Sequence, residues 1–81
     1  MTEKQMIDQI LNTVDVLYKF GEVNADKGKY IILVKQQDGD RRKLQQVNEE
    51  IKKYFEEADF TYTESIKPAD GLEDIRIEIK R

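Results

Sequence analysis

Eighty-one residues without cysteine or histidine exclude a disulfide framework, thiolate or imidazole metal sites, and the Ser-His and Cys-His pairings behind much nucleophilic catalysis. Charged and hydrophobic residues each make up 38% of the chain, but the apolar ones recur with helix and strand periods, which predicts one folded domain over 1–81 rather than disorder. No apolar run approaches bilayer-spanning length, and the first twenty residues carry Glu3, Asp8 and Asp15 among their apolar positions, so the expectation is a cytoplasmic protein with neither a secretory leader nor a membrane anchor.

The chain opens on a helical pattern. Thr2 and Gln5 have the spacing of a capping box, and Ile7, Ile10, Leu11, Val14, Leu17 and Tyr18 recur at three- and four-residue steps. Gly21 is positioned for a left-handed helix end, which predicts a helix over Glu3 to Phe20. Glu22, Asn24 and Asp26 then alternate in a manner that invites a calcium loop. The required glycine and terminal glutamate are replaced by Lys27 and Leu33, so the segment reads as a turn and no metal site is predicted.

Lys29 to Lys35 is the one continuous apolar run, too short for a stable helix and bounded by turn residues, and it predicts the organising strand. Tyr30, Ile32 and Val34 point to one side of it and Ile31 and Leu33 to the other. Asp40 has the character of an N-cap, and Leu44, Val47, Ile51, Tyr54, Phe55 and Ala58 form the stripe of a second helix over Arg41 to Ala58. Phe60 to Ile66 alternates in β-favouring residues, Pro68-Ala69-Asp70-Gly71 is a turn, and Ile75, Ile77 and Ile79 alternate with charges in a last strand. No internal repeat is apparent in these residues.

The order α-β-α-β-β predicts a two-layer α+β domain of two helices on a three-stranded mixed sheet, with strand order 1-3-2. Two helices on one face leave the other face of the organising strand bare. Ile31 and Leu33 are therefore expected to sit at a homodimer interface, unless the first helix crosses over to cover them.

Chemistry-bearing constellations are few. The paired acids Glu49-Glu50, Glu56-Glu57 and Glu73-Asp74 do not converge by spacing, and neither glycine-rich phosphate-binding pattern occurs. No catalytic residue, cofactor or enzymatic activity is predicted.

Charge placement carries the functional expectation. The net charge of −3 conceals a stretch of +4 between Lys27 and Lys43 and one of −6 between Glu56 and Asp74. The second helix thus bears Arg41, Arg42 and Lys43 at its positive end and Glu56, Glu57 and Asp59 at its negative end, the reverse of what its dipole favours. The reading is a small non-enzymatic binding or regulatory protein, an inhibitor or adaptor, whose acidic residues Glu56, Glu57, Asp59, Glu73 and Asp74 contact another protein. The alternative is a nucleic-acid-binding protein using the anion-binding set Lys27, Lys29, Arg41, Arg42 and Lys43 at a helix N-terminus.

Overall fold

A computed structural model describes residues 1–81. Helix α1 covers Glu3–Val14 and carries the expected capping box: the Gln5 N–H donates to Thr2 Oγ1 at 3.1 Å and the Thr2 N–H to Gln5 Oε1 at 2.8 Å. It buries Ile7, Leu11 and Val14 and ends at Asp15, in the left-handed region (φ 65°), which an aspartate tolerates. The helix does not continue to Phe20 as its spacing predicts. Leu17–Asn24 is a strand, β1, in which Tyr18 and Phe20 pack against the core while Leu17 is exposed.

A 3-10 turn over Ala25–Lys27 leads into β2, Lys29–Lys35, whose Tyr30, Ile32 and Val34 are fully buried. Helix α2 spans Leu44–Glu57, and β3 (Thr61–Ile66) and β4 (Ile75–Lys80) follow as a hairpin. The N-cap of α2 is Lys43, not Asp40, and its side chain makes no capping bond. Asp40 instead accepts from the Arg42 N–H at 3.0 Å and grips its guanidinium at 2.7 Å. These bonds from Arg42 hold the Asp40 carboxyl at about 2.

The sheet has four strands in the order β1-β2-β4-β3, every neighbouring pair antiparallel. Within it, β2, β4 and β3 reproduce the expected 1-3-2 arrangement: β2 and β3 run parallel, joined through α2, with β4 inserted between them. The expected three-stranded sheet is thus a four-stranded antiparallel one, because the tail of the supposed first helix pairs with β2. Both helices lie on the side of Tyr30, Ile32, Val34, Ile75, Ile77 and Ile79, forming one core of fourteen buried residues. No helix crosses to the opposite side. Truncating a central residue such as Ile32 or Ile77 to alanine would cost about 2–5 kcal/mol.

The fold also holds a repeat that composition hides. Each half is a helix, an aspartate in the left-handed region, a buried residue and two strands. Ile7 and Ile51, Leu11 and Phe55, Asp15 and Asp59, Val16 and Phe60, and Tyr18 and Tyr62 all stand at the same 44-residue offset. The outer strands β1 and β3 correspond, as do the inner pair β2 and β4. Only the aspartates, one isoleucine pair and the tyrosines keep their identity, so the repeat is one of pattern and not of wording.

Candidate functional site

The sheet face away from the helices is uncovered, and strand register lays its side chains out in transverse rows. Leu17 stands opposite Lys35 at one end. Next come Lys19, Leu33, Arg76 and Ser65, then Glu22, Ile31, Glu78 and Thr63, and last Asn24, Lys29, Lys80 and Thr61. Leu17, Ile31 and Leu33 therefore share one face with five cations and two acids. Lys29 pairs with Glu78 at 3.2 Å, and Arg76 is held by Glu73 at 2.8 Å and Asp70 at 3.2 Å. Lys19, Lys35 and Lys80 have no ion-pair partner.

At the Leu17 end, the connection between β3 and β4 overhangs the face and encloses an open cleft of about 490 Å³ lined by Leu17, Lys19, Leu33 and Lys35 from the sheet and by Asp70, Leu72 and Glu73 from the overhang. Leu72 is 96% exposed and Leu17 53%. The overhang is held internally. Lys67 bonds Asp74 by its side chain at 2.9 Å and by its backbone N–H at 2.7 Å, while the Asp74 N–H donates to the Val34 carbonyl at 2.9 Å. The Gln36 N–H donates to Asp74 Oδ2 at 2.9 Å. Burial would raise the Asp74 carboxyl, but Lys67 and the Gln36 N–H outweigh it and leave it below the usual range.

These contacts divide the expected acidic set. The side chains of Glu73 and Asp74 are only 9% and 15% exposed and are used to build the loop. Glu56, Glu57 and Asp59 stay exposed at the far end of the sheet, beside the start of β3, whereas Glu73 and Asp74 precede β4. A single acidic surface does not form from the five.

The basic set is divided likewise. Arg42 is turned inward onto Asp40 and onto Glu50 at 2.8 Å. Arg41 and Lys43 are exposed at the start of α2, while Lys27 and Lys29 lie at the opposite end of β2, roughly 20 Å away along the strand. Ile31 and Leu33 do lie on the uncovered face, half-buried. Lys19, Lys35, Leu17 and Leu72 are the residues the sequence reading missed. The alternation of Leu17 and Lys19 with Tyr18 and Phe20 was the available signal.

The one buried polar group has its needs met. Tyr62 donates to Asn48 Oδ1 at 2.7 Å, and Asn48 Nδ2 donates to Glu64 Oε1 at 3.0 Å. Burial drives the Tyr62 phenol well above its ordinary value, with the Glu64 charge adding to it, so it stays protonated. Glu64 also turns a charge inward on an edge strand, a feature that discourages a further strand from pairing there. No group of three or more acids converges as metal ligands would. The chain matches no protein-family model, and comparison with curated proteins and with solved structures returns no significant match.

Proposed function

We propose that this is a small non-enzymatic binding protein, an inhibitor or adaptor, that engages an acidic protein surface through its uncovered sheet face. The observation that carries the reading is the placement of Leu17, Ile31 and Leu33 beside the unpaired Lys19 and Lys35 on a face that neither helix covers. An apolar patch in a polar frame is the anatomy of a protein interface. The lysines would steer an acidic partner and the patch would hold it.

Two other occupants fit less well. Single-stranded nucleic acid needs aromatic platforms, and Tyr18, Phe20, Tyr30 and Tyr62 all pack on the core side of the sheet, with Tyr54 on α2. A homodimer joined at Ile31 and Leu33 would bring together two copies of a face on which cations outnumber acids five to two, a net repulsion that an acidic partner does not meet. The acidic end of α2, with Glu56 and Glu57, takes no part in this reading.

The test is capture of binding proteins on the wild type and on two variants, Lys19→Glu with Lys35→Glu, and Glu56→Lys with Glu57→Lys. A partner lost by the first and kept by the second is the expected result. The reverse pattern would return the function to the acidic helix end. Sedimentation of the protein alone should give a monomer, and a dimer dissociated by Leu33→Lys would replace the proposal with self-association.

A further inference from the structure

Three leucines and two lysines share the cleft at the Leu17 end. A single exposed leucine is ordinary on a small domain. Here Leu72, 96% exposed on the overhang, and Leu17, 53% exposed on β1, border the same concavity, and Leu33 lines it from β2. Strand register sets Leu17 opposite Lys35 and Lys19 opposite Leu33, so the leucines of the sheet lie on one diagonal of a four-residue square and the lysines on the other.

The acids of the cleft are already engaged. Glu73 and Asp70 both hold Arg76, at 2.8 and 3.2 Å. Lys19 and Lys35 are left without ion-pair partners, and Lys35 acts on Asp74 only through space. The overhang is also fixed in place. Asp74 ties it to Lys67 and to the backbone of Gln36 and Val34, and the Gly71 N–H closes its turn onto the Pro68 carbonyl at 3.3 Å. A ligand therefore meets a preformed concavity of about 490 Å³, within the range of small-molecule pockets, and has no loop to order.

We infer that this cleft binds a medium-chain aliphatic carboxylate, its tail between Leu72 and the Leu17–Leu33 diagonal and its carboxylate at Lys19 and Lys35. The free groups of the cleft are leucine side chains and two cations, so the complementary molecule has an apolar body and one anionic end. An amine would find both acids held by Arg76. The protein partner of the face is judged by its own capture test and stands or falls apart from this ligand.

The whole protein, labelled at its leucine methyls, is titrated with octanoate, octanol and octylamine. Octanoate should shift Leu17, Leu33 and Leu72 together and reach saturation, octanol should bind about tenfold more weakly for want of the charged contacts, and octylamine should leave the three unmoved. Leu72→Ser should weaken octanoate about tenfold with an unchanged melting midpoint, since the side chain packs on nothing in the free protein. Lys19→Gln with Lys35→Gln should bind octanoate no better than octanol. Equal binding of octanoate and octanol by the wild type, undiminished binding by Leu72→Ser, or shifts confined to other leucines would overturn the inference. Retention on phosphatidylglycerol vesicles with no response to dissolved octanoate would overturn it in favour of a membrane surface.

Discussion

The Arg81 guanidinium donates to the Ala58 carbonyl at 2.7 Å, placing a cation from the end of the chain at the C-terminal end of α2. It also lies 4.4 Å from the Phe60 ring centroid and pairs with Glu3 at 3.1 Å. Glu3 in turn accepts from the Tyr30 hydroxyl at 2.6 Å, a bond that raises the Tyr30 phenol, aided by burial. The reversed charges along α2 are thus partly answered through space. Arg81 supplies the cation its C-terminus lacks, and Asp40 with Glu50 absorbs Arg42 at the other end.

Replacing Arg81 by alanine should destabilise the fold by about 1–2 kcal/mol, the sum of a helix-end charge and a partly exposed cation-π contact. Lysine should recover part of this. Urea unfolding of the three proteins is the check, and an Arg81→Ala midpoint equal to wild type would show the contacts to be dispensable.

Glu56→Lys with Glu57→Lys removes an unfavourable interaction with the end of α2. Stability should be unchanged or rise by up to about 1 kcal/mol, less any pairing lost with Lys52 and Lys53. Marked loss would reveal a structural task for these acids.

Acid should weaken the fold through its anchored carboxylates. Asp40 lies at about 2 against an ordinary 3.8, and Asp70, Glu73 and Asp74 are also lowered. Between the ordinary and lowered values the unfolded chain binds more protons, so this stability is present above about pH 4 and lost as pH falls toward 2. Urea midpoints across that range should fall. Arg42→Ala, which frees Asp40, should flatten the fall.

Tyr62→Phe leaves Asn48 Oδ1 without a donor in a buried site and should cost about 1–3 kcal/mol. Glu64→Gln retains an acceptor for Asn48 Nδ2 and should be nearly neutral. Equal effects from the two would mean the network is not what holds α2 to β3.

Much of the fold was legible because its signals are local. The Thr2-Gln5 box, the stripe of α2 and the alternation of Ile75, Ile77 and Ile79 each follow from a few neighbouring residues. β1 was not, because Val14, Leu17 and Tyr18 continue the spacing of the preceding helix while Leu17 to Phe20 also alternates. Pairing with β2 decides between the two periods, and that lies outside the segment. The same cause hid the site. Ile31 and Leu33 could be read from a strand apolar on both sides, but Leu17 and Lys19 join them only once β1 exists. Glu73 and Asp74 looked free because Arg76 and Lys67 reach them through folding of the hairpin loop.

The two inner strands, β2 and β4, belong to different halves of the repeat, and neither half can finish its own sheet. A cut after the exposed Gly39 would leave 1–39 and 40–81 as pieces that each present a row of isoleucine or valine along an unpaired inner edge. Neither piece has a core of its own to close. Mixed, they have every contact of the intact chain except one loop, so the protein should work as a split reporter whose fragments stay unstructured apart and recover the native sheet together.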